Sequence, residues 1–185
     1  MKEIYKYILN MIPLIGLTGR KRAGKDTSAD YLCAKYGYKK AAYADPLKTA
    51  CQCLFGLRED QLYNQSLKEE PDPYWKLTPR YLMQFLGTDL LRKQFDPDIW
   101  IKLMEKKIGS GEGWIIIDVR FRNEAEFIKS RGGIIIKIVR PSIDIADDHE
   151  SEVQDISYDY LVNNDKGLEQ LYSQLTNFLP NRETH

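Results

Sequence analysis

Short apolar runs alternate with helix-compatible stretches along this chain. Pro13-Leu-Ile-Gly-Leu-Thr18 is apolar, and a helical pattern follows over residues 25–36. Ala41-Ala-Tyr-Ala44 reads as a weaker strand, then a helix over about 46–54, with Pro46 at its first position and Asp45 as its cap. Residues 68–77, with Pro71, Pro73 and the adjacent Glu69 and Glu70, read as a surface loop. Helical patterns cover about 79–93 and 97–108. Two β-branched runs follow, Trp114-Ile-Ile-Ile-Asp-Val119 and Ile134-Ile-Ile-Lys-Ile-Val139, with a helix over 124–131 between them. Residues 158–162 are a final strand candidate before a closing helix at 168–179. Near-continuous apolar strands alternating with helices predict an α/β fold, a parallel sheet covered on both faces.

Charge narrows the range of partners. The 185 residues carry 27 basic and 27 acidic side chains, a formal net charge of zero. Strong non-specific attraction to nucleic acid or to an anionic membrane needs a cationic excess, so neither partner is expected. The apolar stretch at 8–17 is broken by Asn10 and Pro13 and is too short to span a bilayer. Cys33, Cys51 and Cys53 lack C-x-x-C spacing, so reduced thiols in a cytoplasmic protein are expected.

The first strand runs into Gly19-Arg-Lys-Arg-Ala-Gly24-Lys25-Asp26-Thr27, which has the spacing G-x-x-x-x-G-K of a phosphate-binding loop. Glycines let successive N–H groups face one anion, and the helix N-terminus adds its partial positive charge. Lys25 is placed to reach the outer phosphates. Asp26 stands where most such loops place a Mg²⁺-binding hydroxyl, and Thr27 follows it, so the metal ligands stay open. Arg20, Lys21 and Arg22 add cations suited to the charge gathered when phosphate moves between two phosphorylated molecules.

Ligands of an open parallel sheet sit beyond the carboxyl ends of its strands. Those ends carry Asp45-Pro-Leu-Lys48, Asp118-Val-Arg120-Phe-Arg122-Asn-Glu124, Arg140-Pro141 and Asn163-Asn-Asp165, predicting one charged rim. Glu124 itself reads as a first-turn helix residue. Gln84, Thr88 and Arg92 repeat at four-residue spacing, one polar helix face that joins Trp100 and is flanked by Tyr74, Trp75, Tyr81, Phe85 and Phe95. A planar base could stack there while Arg92 meets a phosphate. The acidic run Asp147-Asp-His149-Glu-Ser151-Glu152 surrounds a histidine that reads as an exposed loop residue.

Taken in order, the phosphate loop, Tyr43-Ala-Asp-Pro-Leu-Lys48, Leu82-Met-Gln-Phe-Leu-Gly-Thr88 with Arg92, Asp118-Val-Arg-Phe-Arg-Asn-Glu-Ala125 and His149-Glu-Ser-Glu152 resemble the deoxynucleoside monophosphate kinases of viruses and phages. The resemblance runs over about 13–175. It implies a three-layer α/β/α P-loop NTPase fold in a single domain, 1–185, with a helical acceptor or lid region at about 57–110. It implies ATP as phosphoryl donor, Mg²⁺, a (deoxy)nucleoside 5′-monophosphate as acceptor, and a homodimer. On the donor side it places Gly19, Arg22, Ala23, Gly24, Lys25, Asp26, Thr27 and Ser28; on the acceptor side, Lys21, Asp45, Lys48, Gln84, Arg92 and Trp100. Lys25, Arg22, Arg120, Arg122, Arg140 and Asp118 would form the catalytic set. Residues 67–78 and 142–155 are its candidate lids.

Two alternatives stand beside it. Animal-type phosphomevalonate kinases share a similar loop and an acidic run similar to Asp147-Asp-His-Glu-Ser-Glu152, although Asp118-Val-Arg-Phe-Arg-Asn-Glu124 favours a nucleotide. A nucleotide-dependent switch or non-catalytic binding module would need an N-K-x-D guanine reader, and Asn163-Asn-Asp-Lys166 has those letters in the wrong order.

Overall fold

A computed structural model describes residues 13–109, 113–141 and 156–179. The chain divides into two compact units, Met1–Ala42 with Ile108–His185, and Tyr43–Lys107.

The first unit is built on five strands among the described residues: β1 (Leu14–Thr18), β2 (Lys39–Ala41), β3 (Trp114–Ile116), β4 (Ile134–Val139) and β5 (Tyr160–Asn163). All pairings are parallel, in the order β2-β3-β1-β4-β5. Helix α1 (Lys25–Tyr36) follows β1, α6 (Arg122–Ser130) follows β3, and α7 (Leu168–Thr176) follows β5. Alternation along β1 shows how the layers form. Ile15 and Leu17 face one side, in a core shared with Leu32 of α1 and Leu171 of α7. Gly16 faces the other side, where a Cβ would lie 2.6 Å from Ile135 and 2.7 Å from Ile128 of α6. Each buried Leu or Ile here contributes roughly 1.5–3 kcal/mol. The sheet with helices on both faces is the three-layer α/β/α arrangement expected of a P-loop fold.

Several boundaries differ from the pattern reading. Strand β2 lies at Lys39–Ala41 rather than 41–44. It is an edge strand, and lysines suit an edge because they discourage pairing with another chain. Lys40 bonds Asp30 at 2.5 Å, which holds its ammonium pKa above the ordinary value, while Lys39 lies over the Trp114 ring. Strand β3 ends at Ile116, two residues before Asp118.

In the second unit, α2 (Ala44–Phe55), α3 (Glu59–Tyr63), a 3₁₀ turn (Leu67–Glu69), α4 (Pro79–Gln84) and a π-helical segment (Phe85–Phe95) pack around Cys51, Leu57, Leu62, Leu82 and Leu86. Helix α5 (Ile99–Ile108) then leads back to the sheet. Helix α2 starts at Ala44, so Asp45 is not its cap: Tyr43 holds that position and makes no side-chain cap. Asp45 and Pro46 are second and third in the helix, where a missing proline N–H costs no internal bond.

The segment 79–93, expected as one α-helix, changes at Phe85 to turns that close on the fifth residue. Gly87 sits so close to α2 that a Cβ would lie 2.6 Å from Leu47, and its carbonyl accepts the Trp100 indole N–H at 3.1 Å. Four residues therefore fall short of a full turn here rather than passing beyond one.

Residues 67–78, a candidate lid, are braced from inside. The Asp72 carboxylate accepts the Gln61 amide and the backbone N–H groups of Tyr74 and Trp75, and Trp75 donates its indole N–H to the Phe55 carbonyl at 2.7 Å. The other candidate lid, 142–155, and His149 within it lie outside the described residues.

Candidate active site

The loop between β1 and α1 is shaped by positive φ values at Gly19 (136°), Arg22 (64°) and Gly24 (109°). Glycine is required at two of these positions for space as well. A Cβ on Gly19 would lie 2.2 Å from the Ile138 carbonyl oxygen, and one on Gly24 would lie 2.4 Å from Asn164 Nδ2. Gly24 caps α1 without a side chain, leaving the first-turn N–H groups to the loop. Lys25 folds back over this turn and donates to the carbonyls of Gly19 (2.5 Å) and Arg20 (2.8 Å). Its ammonium is thus held at the rim of the cradle that its spacing predicted.

A cleft of about 450 Å³ opens beside the loop, lined by Arg22, Gly24, Lys25, Asp26, Thr27 and Arg140 together with Asn164, Asp165, Gly167 and Leu168. Arg22 and Arg140 are exposed. Three cations around one helix N-terminus make this cleft suited to a polyanion. The Asp26 carboxylate is exposed, 3.9 Å from Lys40, so what Asp26 offers an anion is its backbone. Ala23 is buried and contributes through its peptide: its N–H donates to the Arg20 carbonyl and its own carbonyl accepts Asn164.

Ser28 does not belong to the cleft. It is fully buried on the core face of α1 beside Ala29 and Leu32, and its N–H already donates to the Gly24 carbonyl at 2.9 Å.

Because every strand is parallel, the segments after β1, β3, β4 and β5 leave the same edge of the sheet. The Val119 N–H donates to the Leu17 carbonyl and the Ile117 N–H to the Ala41 carbonyl, which sets Asp118 and Arg120 at the ends of β1 and β2. Buried Glu124 accepts the N–H groups of Arg120 (2.8 Å) and Phe121 (3.1 Å). Arg122, at the first position of α6, is an exposed cation where the helix dipole disfavours one. Asp118, Arg120 and Arg122 share the edge without lining the cleft. Lys21, half-buried, belongs to the loop itself.

Within the second unit, Asp45 pairs with Lys107 at 2.8 Å, and the Lys48 ammonium lies 4.0 Å from the Tyr63 ring centre. Arg92 donates to the Pro97 carbonyl at 3.3 Å, and Gln84 is half-buried at the end of α4. The Tyr81 and Phe85 rings are exposed and nearly parallel, 6.3 Å apart. Trp100 differs from the expectation of a ring open to substrate. It is buried with its N–H taken by Gly87, and so supports the π-helical segment.

Asn164 and Asp165, placed on the charged rim by the sequence, form one wall of the cleft together with Gly167 and Leu168, to which no motif pointed. No group of three or more His, Cys, Asp or Glu side chains among the described residues could hold a metal ion, and no described helix is long and apolar enough to cross a membrane.

Comparison with known proteins agrees with this arrangement. The model of the family described as "Deoxynucleotide monophosphate kinase" matches residues 13–71 and 60–175. A "Putative deoxynucleotide monophosphate kinase" of Acanthamoeba polyphaga mimivirus is 43% identical, covering 91% of this chain and 96% of its own. The "Deoxynucleotide monophosphate kinase" of Enterobacteria phage T4 is 27% identical, covering 90% and 98%. That second alignment spans 238 positions against 185 residues here, so the phage protein carries segments this chain lacks. A phosphate loop on a parallel sheet, a cationic cleft beside it and a match spanning both units lead to one assignment: the chain belongs to the deoxynucleotide monophosphate kinase family.

Proposed function

We propose that this protein transfers the γ-phosphoryl group of ATP to a deoxynucleoside 5′-monophosphate, giving ADP and the deoxynucleoside diphosphate. The observation that carries the reading is the cleft in which Lys25, Arg22 and Arg140 surround the N-terminus of α1, in a chain of this family.

The chemistry needs no covalent enzyme intermediate. An oxygen of the acceptor phosphate attacks the γ-phosphorus in line, and the bond to the oxygen bridging the β- and γ-phosphates breaks. That acceptor oxygen is already anionic, so the main demands are positioning and charge neutralisation. Gly24 and the first turn of α1 hold the donor phosphates through backbone N–H groups. Lys25 exchanges its two carbonyl partners for phosphate oxygens. Arg22 and Arg140 neutralise charge from the cleft, and Arg120 and Arg122 do so from the edge beyond β3. To Lys21, Asp45, Lys48, Gln84 and Arg92 we assign the acceptor, with Trp100 supporting Arg92's segment. Thr27, lining the cleft, and Asp118 offer the oxygen donors that suit Mg²⁺. Bound with the triphosphate, that ion would offset its charge.

The test is ADP release from ATP with each of the four deoxynucleoside monophosphates, their ribose counterparts and phosphomevalonate. Stimulation by one or more deoxynucleotides above the ribose forms is expected. Release with phosphomevalonate alone, or with no acceptor at all, overturns the proposal.

A further inference from the structure

Asn164, in the turn between β5 and α7, makes contacts well beyond that turn. Its backbone N–H donates to the Val139 carbonyl at 2.8 Å, at the end of β4 where Arg140 follows. Its side-chain Nδ2 donates to the Ala23 carbonyl at 2.8 Å, 141 positions away in sequence. The same Nδ2 occupies the space over Gly24, where a Cβ would lie 2.4 Å from it. One residue thus ties the ends of two strands to the crest of the phosphate loop, and it lines the cleft as well.

We infer that Asn164 is a positioning residue of the donor site, setting the direction of the peptide between Ala23 and Gly24. The inference rests on reading the cleft as the seat of a nucleoside triphosphate. A peptide is planar and trans, so its C=O and N–H point opposite ways. With the Ala23 carbonyl held on Asn164, its negative end cannot swing toward a bound phosphate, and the Gly24 N–H keeps one direction. The loop needs such a clamp because φ at Gly19 and Gly24 (136° and 109°) lies in space that glycine leaves and enters freely. The side chain suits the task because a neutral amide supplies a donor without placing negative charge beside the phosphates. A carboxylate of the same size would remove the donor and add that charge.

Asn164→Ala and the isosteric Asn164→Asp test this in the full-length chain. ADP binding is read by calorimetry with no acceptor present, alongside KM for ATP, KM for the deoxynucleotide, and Tm. ADP affinity is expected to fall about tenfold in Asn164→Ala and further in Asn164→Asp. KM for ATP should follow, with the acceptor KM within about twofold of wild type. The inference is overturned if Asn164→Asp binds ADP within about twofold of wild type. A lowered Tm with both KM values rising together overturns it too. A wild-type chain that binds ADP but transfers nothing would fail the proposed function alone; one that binds no ADP fails both.

Discussion

The carboxylate of Glu124 holds the backbone of Arg120: Oε2 accepts the Arg120 N–H at 2.8 Å while the glutamate itself is 2% exposed. A buried carboxylate that also accepts the Phe121 N–H fixes the turn between β3 and α6, and so fixes where the arginine leaves the sheet. Glu124→Ala would strand two N–H groups and is expected to cost about 1–3 kcal/mol in urea unfolding. It should also lower kcat about tenfold with both KM values little changed, because the Arg120 charge would be misplaced chiefly in the transition state. Glu124→Gln keeps an acceptor and should recover most of both losses. Equal turnover in all three proteins would remove Glu124 from any part in placing Arg120.

Lys25 donates to two carbonyls of its own loop, those of Gly19 and Arg20. Lys25→Ala is expected to keep the circular dichroism spectrum and lower turnover about a hundredfold or more. Turnover near the wild-type rate would refute the donor assignment.

Arg92 separates donor from acceptor. The family resemblance gives it to the acceptor, and its guanidinium donates to the Pro97 carbonyl within the second unit. Arg92→Ala should raise the deoxynucleotide KM about tenfold, the scale of a lost charge-assisted bond, with KM for ATP little altered. The reverse pattern would move the acceptor away from the second unit.

Asp72 links the 67–78 loop to pH. The Gln61 amide, then the N–H groups of Trp75 and Tyr74, hold its carboxyl below the ordinary range. A depressed pKa in the fold means that this bracing is complete above the unfolded value and is lost as pH falls through the folded one. Trp75 emission, taken as the difference from Trp75→Phe, should stay constant from neutral pH down to about pH 4 and shift to the red only below that. In Asp72→Ala the red-shifted emission should be present at neutral pH. A shift beginning near pH 6 in the wild type would show that Asp72 is not what holds the loop.

The phosphate loop was legible because its glycines and lysine act through spacing along a single turn. Strands β1 and β4 were legible because burial on both faces leaves little but Leu, Ile and Val. What escaped depends on partners distant in sequence. Two lysines disguised β2, since an edge strand takes its pattern from its neighbour Trp114 and from Asp30 rather than from alternation. The π-helical turns at 85–95 arise where Gly87 meets Leu47 and Trp100, contacts that no periodicity encodes. Asp45 looked like a cap because it precedes a proline, yet the helix begins one residue earlier and its carboxylate goes to Lys107. Ser28 lies next to the motif in sequence but turns into the core, as helical geometry requires of a residue four ahead of buried Leu32.

The grip of Gly19 and Arg20 on the Lys25 ammonium sets a threshold for whatever enters the cradle. A guest must offer oxygens better than two peptide carbonyls already in place, at 2.5 and 2.8 Å. Nucleosides and other uncharged look-alikes, however well shaped, bring nothing to exchange. On the proposed function, discrimination at this end of the protein is therefore by electric charge first and molecular outline second.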